Sequence, residues 1–562
     1  MGNGQGGATP GLIRRGMAPP AFQAACQRSG LAGRALHANA QGMHAPYPTP
    51  LAALRAAAAT QGEREALAFP HQGRRLSFAG WLAEAEAVAR GLLALGLKPG
   101  AHVALLAENR IEWPVAQLAV AAAGMVLVPL NTHYRAEDLG AALATSRAEA
   151  LLLSARFRSN AYLDMVRALR ADLPALRHLI LLDAVEGERH FNDLRAEGIA
   201  LPEVAPRAPA SLQFTSGTTG IPKGALLTHQ GMLMNAWGTA QRLRLTERDR
   251  LTSIIPLFHC AGCIMGILAC LQSGAAYVGV PAFDAEEMCR VIAAERCTAL
   301  SGVPTSWLAM RDLPARKNYD LTSLRTGTCG GADANPGILA DCVRDFPIPG
   351  LVQVYGQTEA STLISCADCE DPERLETAGE PLPGMEVRIV DPQSGAVLPA
   401  GEIGEIQARG PMVMLGYFER PEANAETITP EGWLRSGDLG CITPTGRIRM
   451  AGGRLRDMLI RGGENIYPVE IEAVLAQHPA VAEVAVFGIA DAYYGEIPAA
   501  ALRLRHAVPS ADLAAFCAAR IARFKVPAAW FTVTAYPLTA SGKIRKTELR
   551  AMAEGGRLER FA

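Results

Sequence analysis

The spacing of hydrophobic and polar positions changes repeatedly along the chain, and each change predicts an element. Residues 78–95 and 111–123 carry apolar side chains at helical spacing, while the short apolar runs 102–106 and 125–129 read as buried strands. The longest apolar run, 114–130, is interrupted by Gln117, Gly124 and Pro129. It falls short of the roughly 20 residues that a spanning helix needs. A buried helix, a turn at Gly124 and a strand fit it better. Further strands are expected at 150–153, 179–182, 211–214, 276–280 and 351–354, with helices such as 285–295 between them. Strands alternating with helices predict a layered α/β architecture with mostly parallel sheets.

Beyond Gly379 the pattern shortens. Residues 387–390 and 405–408 read as brief strands between Gly/Pro turns, a small β-rich subdomain. From Asp457 the order becomes strand, helix, strand, strand, helix, strand and a basic helix at 546–552, a compact α+β module. The expected organisation is therefore a leader over 1–45, a large N-terminal domain over 46–453, a hinge at 454–457 and a mobile C-terminal domain over 458–562. The leader holds Arg14, Arg15, Arg28 and Arg34, and the first acidic residue of the chain is Glu63. It shows no amphipathic stripe or secretory core, so it reads as a disordered or misassigned start rather than a targeting signal.

Composition narrows the function classes. Hydrophobic residues make up 49% of the 562 positions and charged residues 19%, which excludes wholesale disorder. Lys and Arg number 54 against 55 Asp and Glu, so no global basic field draws the protein to nucleic acid. Twelve cysteines suit a reduced, cytoplasmic protein rather than a disulfide scaffold. The pairs Cys260/Cys263 and Cys366/Cys369 lie too far apart in sequence for the usual zinc spacing, and buried thiols are the simpler reading.

The most specific local signal runs Phe214-Thr-Ser-Gly-Thr-Thr-Gly-Ile-Pro-Lys223-Gly224. Gly217 and Gly220 let backbone N–H groups turn towards an anion. Thr215, Ser216, Thr218 and Thr219 add rotatable donors, and Lys223 adds a positive charge. This is a phosphate loop by its physics, although it lacks the Walker A spacing.

With that loop, the chain resembles the adenylate-forming superfamily of acyl-CoA synthetases, firefly luciferase and adenylation domains, and looks most like the fatty-acyl-CoA synthetases. Six further segments match in order: Pro256-Leu-Phe-His259; Tyr355-Gly-Gln-Thr-Glu359; Gly404-Glu-Ile-Gln-Ala-Arg-Gly410; Trp433-Leu-Arg-Ser-Gly-Asp438; Gly453-Arg454-Leu-Arg456-Asp457 with Gly462-Gly463-Glu-Asn-Ile-Tyr-Pro468; and Pro537-Leu-Thr-Ala-Ser-Gly-Lys543.

The resemblance implies ATP, Mg2+ and coenzyme A as cosubstrates and cofactors. It places Lys543 between the acid carboxylate and the α-phosphate, where its charge would offset charge building in the transition state. Glu359 would hold Mg2+, Thr358 would contact the α-phosphate, and Tyr355 with Gly356 would lie at the adenine. Asp438, assisted by Arg454, would accept hydrogen bonds from the ribose. Gly331 and Ala332 would border adenine and the acyl group, and His259 would gate the acyl pocket. A swing of the C-terminal domain about Arg456 would bring Gly463 to the pantetheine arm. Gly452–Gly453 adds one residue to the spacing before Arg454 and puts that loop's geometry in question.

The acid is read from what surrounds it. Residues 258–265 contain no Asp to hold a substrate ammonium, which disfavours amino acids. Residues 258–267, 301–307 and 328–332 contain no Lys or Arg, which disfavours a second carboxylate and favours a medium- or long-chain aliphatic acid. Met265 or Trp307 is expected to close the far end of the pocket. No carrier-protein attachment signal follows the tail. An aryl-CoA ligase, or a ligase loading a separate carrier protein, is the alternative within the family; a nucleotide-binding regulator or luciferase-like oxygenase is the alternative outside it. The partners expected are therefore a small carboxylic acid, ATP and CoA, without nucleic acid. The protein would act as a monomer or homodimer, and peripheral contact with a membrane surface stays open.

Overall fold

A computed structural model of the protein describes residues 45–215, 223–330, 336–454, 459–461, 464–466, 468–491, 494–521, 523–538 and 544–561. Most elements fall where the hydrophobic pattern put them. Strands His102–Leu106 and Ala150–Leu153 and the helix Ala285–Glu295 match the expected bounds, and the run after Ile111 forms a helix Glu112–Ala122 and a strand Val126–Pro129. Gly124, with φ of 67°, makes the left-handed turn between them. No described helix is long and apolar enough to cross a membrane.

Among the described residues the strands form four sheets. One places Pro209–Thr215, Val126–Pro129, His102–Leu106, Ala150–Leu153 and His178–Leu181 side by side and parallel. Lys223–Thr228 and then Gly416–Tyr417 are added antiparallel at one edge. A second has a parallel centre of Gly350–Tyr355, Thr326–Cys329, Ala299–Gly302, Arg250–Ser253, Ala276–Val278 and Glu65–Phe69, with antiparallel edges Ser365–Cys366 and Arg74–Ser77. Such a sheet is buried on both faces, and alternate residues divide two cores: Ala299 and Val352 pack on one side, Leu300, Cys329 and Leu351 on the other.

The β-rich subdomain is a four-stranded antiparallel sheet of Glu386–Val390, Gly404–Arg409, Leu434–Ile442 and Ile448–Arg454. The remaining sheet holds Leu459–Arg461, Glu464–Ile466, Val481–Asp491, Gly495–Leu504, Ala529–Thr532 and Glu559–Arg560. It packs two hydrophobic cores drawn only from residues 459–561. The expected single strand before the helix Pro468–Leu475 is two short antiparallel strands instead. The short strand Glu559–Arg560 at the end of this sheet was also not foreseen. Short edge strands carry too few residues for a two-residue period to show. The protein is thus a mixed α/β molecule with a large parallel-sheet N-terminal domain and a C-terminal domain.

Candidate functional site

The site residues come from strand ends and the turns that follow them, where open α/β sheets bind ligands. Tyr355 ends the strand Gly350–Tyr355, and a single 3₁₀ turn, Thr358–Ala360, carries Thr358 and Glu359. Two unusual residues follow, Ser361 at φ 55° and Thr362 at φ 115°. A β-branched residue at such an angle stores strain and must be held by its surroundings. Asn235 does part of this: its Nδ2 donates to the carbonyls of Ala360 at 3.2 Å and Leu363 at 2.8 Å. Gly356 is required by the same turn, since a Cβ there would stand 2.1 Å from the Thr362 carbonyl oxygen.

Glu359 is half-buried, and its Oε1 accepts a hydrogen bond from Tyr417 Oη at 2.6 Å. The Lys223 ammonium sits 5.3 Å from the centre of the same Tyr417 ring. Lys223 opens its strand opposite Thr215, whose Oγ1 donates to the Lys223 carbonyl at 3.4 Å. In sequence these two residues bracket 216–222, which lie outside the described residues. On the other flank of Thr358, its Oγ1 lies 3.6 Å from Cys260 Sγ, which is 3.8 Å from His259 Nδ1. Burial pushes the Cys260 thiol up, but the charge of His259 beside it and hydrogen bonding with His259 and Thr358 outweigh this and hold it below the usual thiol value. His259 Nδ1 also accepts the Ala261 N–H at 3.1 Å, so it caps the short helix Cys260–Gly262.

The subdomain supplies Asp438, which is 8% exposed and accepts a hydrogen bond from Tyr355 Oη at 3.1 Å. Gly437 precedes it at φ 69° and donates its N–H to Glu405 Oε1 at 3.1 Å. Arg454 pairs with Asp438 across the sheet. The register shifts by two residues between that pair and the Gly440–Met450 pair, a bulge on the strand that carries Gly452–Gly453, and the backbone of Arg454 lies opposite Asp438.

Of the expected residues, the structure brings Thr215, Lys223, His259, Tyr355, Gly356, Thr358, Glu359 and Asp438 into these connected groups. Ser216, Gly217, Thr218, Thr219, Gly220, Gly331, Ala332, Arg456, Gly463 and Lys543 lie outside the described residues, as does the side chain of Arg454. Leader residues 1–44 lie outside them too. Of the two residues expected as alternatives to close the pocket, each packs in a different core. Met265 packs in the core on one face of the sheet and Trp307 in the core on the other, with Trp307 edge-on to Phe346 at 5.5 Å. Strand Ala299–Gly302 separates them, because the helix Pro304–Arg311 folds back on the opposite face. Sequence reasoning missed Tyr417, Cys260 and Asn235. Tyr417 and Asn235 carry no charge and stand in no spacing with chemical meaning, and Cys260 drew notice only as half of a CxxC pair read as buried thiols. A surface cleft of about 370 Å³ between Gly100, His102, Pro202, Val204 and Phe418 holds none of the expected residues.

Comparison with known proteins shows the family and the fold. The model of the AMP-binding enzyme family matches residues 54–418, and that of the AMP-binding enzyme C-terminal domain matches residues 470–543. YngI of Bacillus subtilis (strain 168), which carries an acyl-CoA synthetase name, is 38% identical over 516 residues, covering 87% of this chain and 94% of its own. The Homo sapiens mitochondrial medium-chain acyl-CoA ligase ACSF2 is 34% identical over 525 residues, covering 88% of this chain and 85% of its own. Among solved structures, the anthranilate CoA ligase AuaEII in complex with anthranoyl-AMP superposes with a TM-score of 0.82 at 28% identity, covering 92% of this chain and 99% of its own.

Proposed function

The chain belongs to the AMP-binding enzyme family and is a ligase of the acyl-CoA synthetase kind, and we propose that it activates a medium- or long-chain aliphatic acid as an acyl-adenylate and passes the acyl group to CoA, releasing AMP and pyrophosphate. The observation that carries the choice of acid is the run 257–271. It contains no Asp, Glu, Lys or Arg, and Cys260, Cys263, Ile264, Met265, Ile267 and Leu268 in it are all at most 2% exposed. A second carboxylate buried against it would have no partner. An alkyl chain would instead gain roughly 0.8 kcal/mol per buried methylene. The polar side chains nearby on strands Ala299–Gly302 and Thr326–Cys329, Ser301 and Thr328, are neutral hydroxyls. The name of the ACSF2 relative points the same way.

In this reading Lys223 and the loop before it hold the phosphates of ATP, Thr358 contacts the α-phosphate, Asp438 and Arg454 bind the ribose, and Tyr355 supports adenine. Glu359 fits a magnesium ligand, being a hard, half-buried carboxylate that shares Tyr417 as a neighbour with Lys223. No cluster of three or more His, Cys, Asp or Glu stands among the described residues, so the ion's other positions would fall to phosphate oxygens and water. Bound Mg2+ supplies charge that offsets the phosphates. Lys543 would meet the carboxylate and α-phosphate from the C-terminal domain, beginning at about residue 458. Turning about residues 454–457 would then exchange Lys543 for Gly463 at the same place. The eleven described cysteines are free thiols, which supports a reducing compartment such as the cytoplasm.

The test is CoA-dependent AMP release across acetate, hexanoate, octanoate, palmitate, malonate and cinnamate, read as kcat/KM. Octanoate or palmitate should lead. A lead for malonate or acetate refutes the apolar pocket, and a lead for cinnamate selects the aryl-CoA ligase.

A further inference from the structure

Residues 412–418 run as a strap between the two charged ends of the site. On one side Leu415 N donates to Leu226 O and Phe418 N to Gly224 O, both at 2.8 Å, which fixes the strap against the strand that begins at Lys223. On the other, Met414 N donates to Glu359 O at 2.7 Å and Ser361 Oγ to Met412 O at 2.7 Å, which fixes it against the Glu359 turn. Tyr417 stands on this strap, 8% exposed. Its own backbone is held by Asn424, whose Oδ1 accepts the Tyr417 N–H at 2.6 Å and whose Nδ2 donates to the Tyr417 carbonyl at 3.0 Å. Its hydroxyl reaches Glu359 Oε1 and its ring face meets the Lys223 ammonium.

We propose that Tyr417 is the positioning residue of the metal carboxylate: it fixes the rotamer of Glu359 and keeps Glu359 and Lys223 apart. The inference rests on the reading of Glu359 as the magnesium ligand. A Glu side chain on a half-exposed turn has several rotatable bonds, and ordering it at the moment of binding weakens the metal. A short O–H···O⁻ bond to one carboxylate oxygen settles that order in advance and leaves the other oxygen for the ion. The same phenol solves a second problem. An ammonium and a carboxylate on neighbouring elements attract each other, and a direct ion pair would spend both charges before ATP arrives. Tyr417 offers each a separate partner, the ring face for the cation and the hydroxyl for the anion. No Lys223–Glu359 ion pair forms among the described residues.

The experiment is equilibrium titration of the whole protein with ATP at a series of Mg2+ concentrations, without acid or CoA, by calorimetry. Tyr417→Phe keeps the ring under Lys223 and removes only the hydroxyl. It should raise the Mg2+ concentration needed for half-maximal ATP binding by about tenfold, in the range known for groups that orient metal ligands. Its metal-free ATP affinity should stay unchanged. Tyr417→Leu should weaken metal-free ATP binding as well, because Lys223 then loses its separate partner. Glu359→Gln is the control for the underlying reading and should abolish most of the Mg2+ dependence. If Glu359→Gln loses that dependence while Tyr417→Phe titrates like the wild type, the positioning role is refuted and the metal role stands. If Glu359→Gln itself titrates like the wild type, both fall. Equal loss of metal-free and metal-dependent binding in Tyr417→Phe marks general loosening and also overturns the proposal.

Discussion

Tyr355 and Asp438, 83 residues apart in sequence, are joined by a 3.1 Å hydrogen bond from the Tyr355 hydroxyl to Asp438 Oδ2. The bond ties the end of a strand in the large parallel sheet to the β-rich subdomain, so one contact sets the spacing of the groups assigned to adenine and ribose.

Asp438→Asn should therefore raise the KM for ATP about tenfold to a hundredfold, the equivalent of losing a hydrogen bond to a charged group worth about 1.5–3 kcal/mol. Tyr355→Phe should act in the same direction by less. Steady-state kinetics with ATP varied at saturating acid and CoA checks this. An unchanged KM in Asp438→Asn would show that the carboxylate serves only to join the two sheets.

Lys543→Ala should remove most adenylation, by about 10²–10³-fold, while sparing thioester formation from supplied acyl-adenylate. Arg456→Pro should do the reverse, since proline fixes φ at the proposed hinge. The two half-reactions are measured separately, by pyrophosphate exchange and by acyl-CoA formation from the adenylate. Equal loss of both in Lys543→Ala, or normal turnover in Arg456→Pro, contradicts the assigned role.

His229 opens the helix His229–Arg242 with a fully buried ring, and neither ring nitrogen has a hydrogen-bond partner among the described residues. Desolvation by burial lowers its pKa from 6.5 to about 4. Because the unfolded chain takes up this proton first, the stability is fully present above about pH 6.5 and is lost as the pH falls towards 4. Between pH 7 and pH 5 the expected loss is about 2 kcal/mol. Chemical denaturation of the wild type and His229→Phe across that interval should show a steeper slope for the wild type; parallel slopes would place the titration elsewhere.

Asp249, 4% exposed, accepts two hydrogen bonds from Arg325, at 2.8 and 2.6 Å, and others from Thr298 Oγ1 and Thr246 N. Burial pushes its carboxyl pKa up, but these partners outweigh burial and hold it below the usual value. Asp249→Ala removes the carboxylate from Arg325, which is 39% exposed and still donates to the Leu243 and Arg244 carbonyls, and strips Thr298 and Thr246 of their acceptor, so it should cost about 1–3 kcal/mol in unfolding free energy. Asp249→Asn should cost less. A loss under about 1 kcal/mol for Asp249→Ala, a range typical of exposed pairs, would mean that water replaces the pair.

Local periodicity was enough to locate the main elements, and contiguous motifs were enough to single out candidate chemical groups. Burial on one face imposes a period that the residues must obey, which is why His102–Leu106, Ala150–Leu153 and Ala285–Glu295 were legible. Glycines, hydroxyls and a lysine in one loop, or Thr358 and Glu359 on one turn, likewise announce themselves because their neighbours in space are their neighbours in sequence. What lies across from what is legible only in the folded chain. The fold seated Gly416–Tyr417 beside the Lys223 strand and put Tyr417 on Glu359, 58 residues away. It set Cys260 on Thr358, 98 residues away, and sent Met265 and Trp307 to opposite faces of one sheet. Such contacts leave no local period or spacing, because strand order and helix crossing are fixed by the packing of whole layers rather than by any short stretch of chain.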